Sequence, residues 1–240
     1  MTAGLDVVHG RAGYGAVEAL HDVTLRFPLG SVVALLGRNG AGKSSLLRVV
    51  AGTLDVGSGR VSWRGRDITR LPPHQRAAAG LTVVPDDPNV FLDLSVAENL
   101  ALFGHGAPPE PVYAAFPELA GKGGQRAGTL SGGERQMLAL GRLLLRPGAA
   151  LLLDEVSRGL STGAVERLYR VLDDLATPDR TIVVVEQYQP NILRRADLIY
   201  VLSRGELAWA GEPSELTTGA LPAAWGISDR HGVYATLATS

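Results

Sequence analysis

The feature that most constrains this chain is a glycine-rich loop between an apolar strand and a helix. The run Val32–Leu36 leads directly into GRNGAGKSS, which spans Gly37 to Ser45. This segment fits the pattern G-x-x-x-x-G-K-[ST], whose glycines let successive backbone N–H groups face one anion. The start of the following helix adds the positive end of its dipole. We therefore predict a phosphate site here, although a plain strand-to-helix turn is the alternative for a glycine-rich loop.

Residue type separates the predicted roles within this loop. The Lys43 ammonium would reach the β and γ phosphates of a nucleotide, and the Ser44 hydroxyl would bind Mg²⁺. Lys43 is one of only two lysines, with Lys122, among 23 basic residues. The other predicted contacts to the nucleotide in this loop are Gly37, Arg38, Asn39, Gly40, Ala41, Gly42 and Ser45.

A second apolar strand ends in two carboxylates. The apolar run 150–153 is followed by Asp154 and Glu155. Because buried strands often end in charged loops, this pattern is ordinary by itself. The carboxyl ends of parallel strands form the ligand crevice of an open sheet, which would bring Asp154 to the metal held by Ser44. Successive side chains point in opposite directions, so Glu155 would face an attacking water as general base.

The spacing of apolar runs predicts an α/β fold with a mostly parallel sheet. Its strands are expected at 32–36, 81–84, 149–153, 182–185 and 198–202. Helices are expected at 43–51, 96–102, 112–119, 131–145, 163–175 and 189–195. A smaller antiparallel sheet is expected from 5–8, 20–27 and 61–63, and a late hairpin from 198–210 with its turn at Arg204 and Gly205. We expect one domain over 1–218 with a helical subdomain at about 91–146, and a tail, 219–240, without an assigned role.

Composition excludes several classes of protein. Apolar residues make up 45% of the chain, which suffices for a core, and 23 basic residues nearly balance 24 acidic ones. That balance argues against a nucleic-acid partner, which would select a basic surface. The absence of cysteine excludes disulfides, thiolate nucleophiles and Cys-based zinc sites. No apolar run reaches bilayer length and no cationic leader precedes one, so we expect a soluble chain.

The segment LSGGERQ, residues 130–136, has two interpretations. Ser131 and Glu134 form the capping box S-x-x-E before an amphipathic helix. Capping does not require Gly132 and Gly133 between the two partners, and their bare backbone suits close approach by an anion. The residues alone leave both interpretations open.

The phosphate loop, the LSGGERQ segment and the acidic strand end, in this order along the chain, resemble the motifs of the ATP-binding-cassette (ABC) ATPases. The resemblance extends from Leu5 to about Leu216. The resemblance implies the ABC ATPase fold, with a P-loop NTPase core, and ATP and Mg²⁺ as ligands. It also implies a head-to-tail dimer with itself or a second ABC ATPase subunit. In that dimer, residues 131–133 of one chain would contact the γ-phosphate held by the other. Tyr14 matches the aromatic residue that stacks on adenine; a half-exposed aromatic on an edge strand is the alternative.

Four stretches are most similar to the second ATPase subunit of branched-chain amino acid importers: YGAVEALHDVTL, DLSVAENLAL, QRAGTLSGGERQMLALGRLLL and VVEQYQ. In this subgroup, Gln187 stands where most cassettes have a His that contacts the γ-phosphate. Gln can hydrogen-bond phosphate or water but carries no positive charge. Asp86 aligns with the Gln or Glu that couples nucleotide to the membrane subunits, and we assign it to the nucleotide and the metal. Ser161 replaces an Asp that many cassettes have between subunits.

The resemblance implies an ATP-hydrolysing importer subunit at the cytoplasmic face of the cell membrane. Its implied partners are two membrane permease subunits and, indirectly, an extracellular substrate-binding protein. Branched-chain or other hydrophobic amino acids are the expected substrates, and urea or another short amide is the alternative. A regulatory or soluble ABC ATPase that is not coupled to transport is a further alternative. Arg142 and Arg146, in the helix after LSGGE, are interpreted as exposed side chains or contacts between subunits.

Overall fold

Ten strands and seven helices form the part of the chain that the computed structural model describes, residues 4–187 and 190–215. The strands are β1 (Leu5–Tyr14), β2 (Val17–Phe27), β3 (Val32–Leu36), β4 (Ser58–Trp63), β5 (Arg66–Asp67), β6 (Leu81–Val84), β7 (Ala150–Asp154), β8 (Thr181–Glu186), β9 (Leu198–Ser203) and β10 (Glu206–Gly211). The helices are α1 (Lys43–Ala51), α2 (Pro73–Ala78), α3 (Val96–Gly104), α4 (Glu110–Ala115), α5 (Gly132–Leu145), α6 (Thr162–Leu175) and α7 (Pro190–Leu193).

The larger sheet confirms the predicted α/β class. Its six strands run in the order β10-β9-β3-β8-β7-β6, and the neighbours from β9 to β6 are parallel. Strand β10 pairs antiparallel with β9 through the predicted turn at Arg204 and Gly205. Because β8 lies between β3 and β7, the carboxyl ends of these three strands are adjacent. The glycine-rich loop, the acidic pair and Gln187 therefore emerge at one edge of the sheet.

The smaller sheet is antiparallel, with the order β2-β1-β4-β5. Strand β1 extends beyond the expected 5–8 to Tyr14, since it pairs with β2 through several register shifts. Up to Arg11 it lies between β2 and β4, and beyond Arg11 it pairs with β2 alone.

Alternate residues of the parallel strands enter two hydrophobic cores. Ala34 and Leu36 of β3 pack in a core with apolar residues of α3, α5 and α6. Val33 and Leu35 face the opposite way, into a core with α1 and the antiparallel sheet. Burial on both faces explains why these strands are apolar almost throughout. No helix in the described residues is long and apolar enough to cross a bilayer.

Two helix predictions are wrong in extent. The helix expected at 112–119 is α4, which ends at Ala115, followed by a 3₁₀ turn at Pro117–Leu119. The break is at Phe116 because a residue before proline avoids the helical region, and its φ of −128° and ψ of 79° are not helical. The helix expected at 189–195 is α7, which ends at Leu193; Gln189 lies outside the described residues.

One helix is absent from the prediction, and another forms as expected. Helix α2, which begins at Pro73 after another proline, is not predicted by the apolar pattern because it is only six residues long and contains no large apolar residue. The helix expected at 131–145 is α5, which begins at Gly132 with Ser131 as its N-cap. The tail, 219–240, lies outside the described residues, and the subdomain bounds stay a prediction.

Candidate functional site

The glycine-rich loop joins β3 to α1 as predicted. Helix α1 begins at Lys43, directly after Gly42, whose φ is +100°. A Cβ at Gly42 would lie 2.8 Å from the carbonyl oxygen of Ala19, so both conformation and space require glycine there. The Lys43 ammonium donates to the carbonyls of Gly37, at 2.8 Å, and Arg38, at 3.1 Å. The loop is thereby folded around the lysine.

Lys43 is buried beside carboxylates. Its side chain is 4% exposed, and its Nζ lies 3.8 Å from Oε1 of Glu155. Burial lowers the pKa of Lys43, while the charges of Glu155, Asp154 and Glu186 oppose that change. The carboxylates that the sequence places at the strand ends are therefore brought to the phosphate loop.

Asp154 combines burial with an unsatisfied oxygen. It lies at the end of β7 and is 4% exposed, and its Oδ1 has no hydrogen-bond partner in the described residues. Burial raises the pKa of Asp154 to about 6, against a hydrogen bond with Ser44 that lowers it; the charge of Asp86 also raises it. These oxygen donors fit a hard cation such as Mg²⁺, and a cation would offset the cost of burying the charge.

Glu155 has an unusual backbone conformation. Its φ is +45°, which is rare for a residue with a side chain. Its backbone N–H donates to the carbonyl of Val185 at 2.9 Å, and its side chain, 15% exposed, lies between Lys43 and Arg158. A strained residue held by a neighbouring strand is typical of functional sites.

Gln187 follows β8 and reaches the phosphate loop. Its side-chain amide donates to Oδ1 of Asn39. The structure therefore brings the Gln that replaces the usual His next to the loop.

Glu186 is a residue of this cluster that the apolar strand pattern hides. It is 5% exposed, and burial raises its pKa to about 7. Its Oε1 accepts from the backbone N–H of Ser157 at 3.4 Å. An acidic residue that ends an otherwise apolar buried strand is the signal that could have identified it.

Tyr14 lies beside the start of α1. Its hydroxyl accepts from the Arg48 guanidinium at 2.9 Å and is 3.5 Å from Oγ of Ser45. The side chain is 46% exposed at the end of β1. At Tyr14, β1 pairs with β2 alone, so both interpretations of this half-exposed aromatic stay predictions; its hydroxyl lies beside the phosphate loop. Arg48, which fixes it, carries no sequence motif.

The LSGGE segment has the predicted capping box. Ser131 Oγ accepts from the Glu134 N–H at 3.3 Å, and Glu134 accepts from the Ser131 N–H at 2.8 Å. Lys122 pairs with Glu134 and, together with the Ser131 N–H, lowers the pKa of Glu134 to about 2.

The two glycines of this segment differ: Gly132 faces outward, whereas a Cβ at Gly133 would lie 2.8 Å from the carbonyl oxygen of Gly159. Ser131 and Gly132 are exposed, and a Cβ at Gly132 would meet no other part of the chain within 4 Å. No hydrogen bond or ion pair within the described residues joins 131–133 to the phosphate loop. The anion contact of this segment therefore stays a prediction.

The interpretation of Arg142 as an exposed or inter-subunit side chain is wrong. Its guanidinium donates to the carbonyls of Val83 and Asn89 and lies over the ring of Phe103. Arg146, the C-cap of α5, is exposed and contacts the ring of His105.

Comparison with known proteins identifies the family. The family model for ABC transporters matches residues 20–158. The branched-chain amino acid transport ATP-binding protein BraG of Pseudomonas aeruginosa is 37% identical over 212 residues, 85% of this chain and 91% of that protein. The probable LivF protein of Archaeoglobus fulgidus, described in the same terms, is 40% identical over 223 residues, 88% of this chain and 93% of that protein.

Solved structures show the same fold. A bacterial Atm1-family ABC exporter with ATP bound superimposes with a TM-score of 0.81 at 27% identity, over 94% of this chain and 43% of that chain. A nucleotide-free ATP-binding cassette from an ABC transporter gives 0.75 at 25% identity, over 88% of this chain and 92% of that chain. With the family model, these matches show that the chain belongs to the ABC transporter family and is an ATP-binding domain of that family.

Proposed function

We propose that this chain binds and hydrolyses ATP to power an ABC importer of branched-chain or other hydrophobic amino acids. The observation that carries the proposal is the meeting, at adjacent strand ends, of Lys43, Glu155 and the hydrogen-bonded pair Ser44 and Asp154. The relatives named for branched-chain amino acid transport support the substrate class.

ATP would bind through residues of three elements. Backbone N–H groups of the loop 37–45 and the ammonium of Lys43 bind the phosphates. The ring of Tyr14 stacks on adenine, and its hydrogen bond from Arg48 fixes the ring beside the loop.

Three oxygen-bearing residues would hold Mg²⁺: Ser44, Asp154 and Asp86. The ion would neutralise negative charge on the phosphates. The raised pKa of Asp154 supports this assignment, because a buried carboxylate without a cation is costly to ionise.

Hydrolysis is assigned to groups around the terminal phosphate. Glu155 accepts a proton from water as that water attacks the γ-phosphorus. The bond between the γ-phosphorus and the β,γ-bridging oxygen breaks, and ADP leaves. Lys43 stabilises the charge that develops on the phosphate oxygens. Gln187, which donates to Asn39, orients the water or the γ-phosphate by hydrogen bonds.

The exposed LSGGE segment would complete the site of another subunit. We propose that residues 131–133 contact the γ-phosphate held by a facing second copy or a sister ATPase subunit. The dimer would act at the cytoplasmic face of the membrane, on two permease subunits, with an extracellular binding protein supplying substrate. A solved relative, 22% identical, is a dimer bound to ADP and phosphate; it shows the fold alone.

The test of the chemistry is Glu155→Gln. We expect this variant to bind ATP with parental affinity while kcat falls about 100-fold or more, since the general base is lost. Glu166→Gln, on the exposed face of α6, is the matched control and should hydrolyse ATP normally. Parental kcat in Glu155→Gln would contradict the assigned role. If the parent itself binds ATP without hydrolysing it, alone or with its captured partner, a regulatory function replaces the proposal.

The test of the transport role uses partners captured from membranes. The complex, reconstituted in liposomes with its binding protein, should take up labelled leucine only when ATP is present. Uptake of urea in place of leucine would move the assignment to a short-amide importer. Capture of ribosomes instead of membrane proteins would contradict a transport role.

A further inference from the structure

We propose that Arg142 is a positioning residue for hydrolysis: its guanidinium holds both ends of the segment that carries Asp86 and fixes this segment to α5. The inference rests on the proposed function for its catalytic consequence, while the clamp itself rests on contacts within the chain. Arg142 lies in the last turn of α5, the helix that begins after Ser131.

The two terminal nitrogens of Arg142 hold two points of one segment. Nη1 donates to the carbonyl of Val83 at 3.4 Å, and Nη2 donates to the carbonyl of Asn89 at 2.6 Å. Asp86 is the third residue after Val83 and the third before Asn89. The planar fork of an arginine thus spans a loop whose midpoint is Asp86.

The strand that leads into this loop lies at the edge of the sheet. In the described residues, strand β6, which contains Val83, is the outer strand and pairs with β7. An outer strand leaves backbone groups on its free side without ladder partners, and α5 packs against β6. Arg142 donates to the Val83 carbonyl and, through Asn89, continues the attachment past the end of the strand.

The position of the guanidinium is fixed on its other sides. Its Nε donates to the carbonyl of Ala139 at 3.0 Å, and its Cζ lies 4.5 Å from the centroid of the Phe103 ring. No carboxylate in the described residues forms an ion pair with Arg142. The buried charge is therefore satisfied by carbonyls and an aromatic face, an arrangement that the single ammonium of lysine does not reproduce.

The clamp connects two parts of the proposed machinery. Strand β6, which leads to Asp86, pairs with β7, which ends at Asp154, and Val84 lies opposite Leu153. Helix α5 carries the LSGGE segment at its other end. Arg142 therefore ties the position of Asp86 to the helix that presents the predicted inter-subunit surface.

The experiment compares full-length Arg142→Ala, Arg142→Lys and Arg146→Ala. Arg146 is the control, because it is an exposed arginine at the C-cap of the same helix. Without nucleotide, hydrogen exchange of amides in 84–91 should accelerate about tenfold in both Arg142 variants, since the carbonyl contacts are lost. The Arg146 variant should exchange at the parental rate.

Steady-state hydrolysis is measured on the same proteins. We expect kcat to fall about 10- to 100-fold in Arg142→Ala, because a misplaced Asp86 disturbs the reacting geometry, while the Kd for ATP changes less than about threefold. Parental exchange and parental kcat in a folded Arg142→Ala would overturn the proposal. So would acceleration spread evenly over α3 to α5, which would indicate general destabilisation.

Two further outcomes are decisive. If Arg142→Ala does not fold, Arg142→Lys decides by the same readouts, and its full rescue of exchange and kcat would also overturn the clamp. If the parent shows no hydrolysis, the proposed function fails, while the exchange rates of 84–91 still decide whether Arg142 holds the segment.

Discussion

The strand-end cluster and the LSGGE segment differ in where their polar groups find partners. In the strand-end cluster, residues 37–45, 154–155 and 186–187, side chains that follow three different strands contact one another: Lys43 contacts Glu155, and Gln187 contacts Asn39. In the LSGGE segment, residues 130–134, hydrogen bonds serve the start of its own helix, and Gly132 faces open space.

This difference bears on the proposed nucleotide site, in which one chain supplies the strand-end cluster and another supplies the LSGGE segment. The cluster depends on the sheet, because its loop at 37–45 is more than 100 positions away from Glu155 and from Gln187 in the sequence. The segment is local, and nothing in the described chain gives a steric reason for glycine at 132. We propose that a closely approaching second subunit supplies that reason. We therefore assign ATP binding to the strand-end cluster, and we propose that the LSGGE segment contributes to hydrolysis in another subunit.

The largest expected effect is that of Lys43→Met. Loss of the buried ammonium should weaken ATP binding about 10- to 100-fold and lower kcat/KM further, since its charge-assisted hydrogen bonds to phosphate are gone. Calorimetry with Mg-ATP and a phosphate-release assay measure the two effects. ATP binding and turnover at the parental level would contradict the role of the loop.

Gly132→Ala separates the two regions most sharply. The variant should retain parental ATP affinity and a near-parental melting temperature, since Gly132 is the first residue of α5 and a Cβ there meets no other part of the described chain within 4 Å. Hydrolysis should nevertheless fall about tenfold or more, because a methyl group obstructs the approach of the facing phosphate. Gly163→Ala, in the first turn of α6, is the matched control. Parental hydrolysis by Gly132→Ala would contradict a role for Gly132 at the site of a facing subunit.

Lys122→Met should have a smaller effect on the same region. Lys122 pairs with Glu134, which caps the segment, so its loss should loosen the start of α5 and lower hydrolysis about threefold. ATP affinity should remain parental, in contrast to Lys43→Met, although these are the only two lysines. Titration calorimetry distinguishes them, and equal loss of binding in both would contradict the division.

The smallest expected effect is on pH-dependent stability through Glu186→Gln. The pKa of Glu186 is raised from 4.5 to about 7 by burial, so its contribution to folding is present below pH 4.5 and is lost as pH rises through 7. Melting of the nucleotide-free parent should therefore occur at lower temperature at pH 8 than at pH 5. Glu186→Gln should reduce this difference, by at most about 3 kcal/mol in unfolding free energy. Asp154 retains a dependence of the same sign, and exposed Glu206→Gln is the control. An unchanged pH slope would contradict burial of a raised-pKa Glu186.

Sequence alone predicts the parts of this molecule whose signal is local. The loop 37–45 and the Ser131 cap each fit a short pattern with a physical reason, and continuous apolar runs identify the buried parallel strands. The helix expected at 112–119 breaks because Pro117 overrides the apolar period at Phe116.

Contacts made across the fold have no such signal. Arg142 resembles any arginine on a polar helix face until β6 and the loop after it are packed against the helix. The partnership of Tyr14 with Arg48 likewise depends on the packing of β1 against α1. These contacts require the tertiary structure because their partners are 34 or more residues apart, or are backbone carbonyls of another element.

The most direct measurement is titration of Mg-ATP into three purified proteins: the parent, Lys43→Met and Gly132→Ala. We predict one ATP per chain with the same Kd for the parent and Gly132→Ala, and strongly weakened binding for Lys43→Met. Binding that survives in Lys43→Met, or is lost equally in Gly132→Ala, would contradict the assignment of the nucleotide to the strand-end cluster.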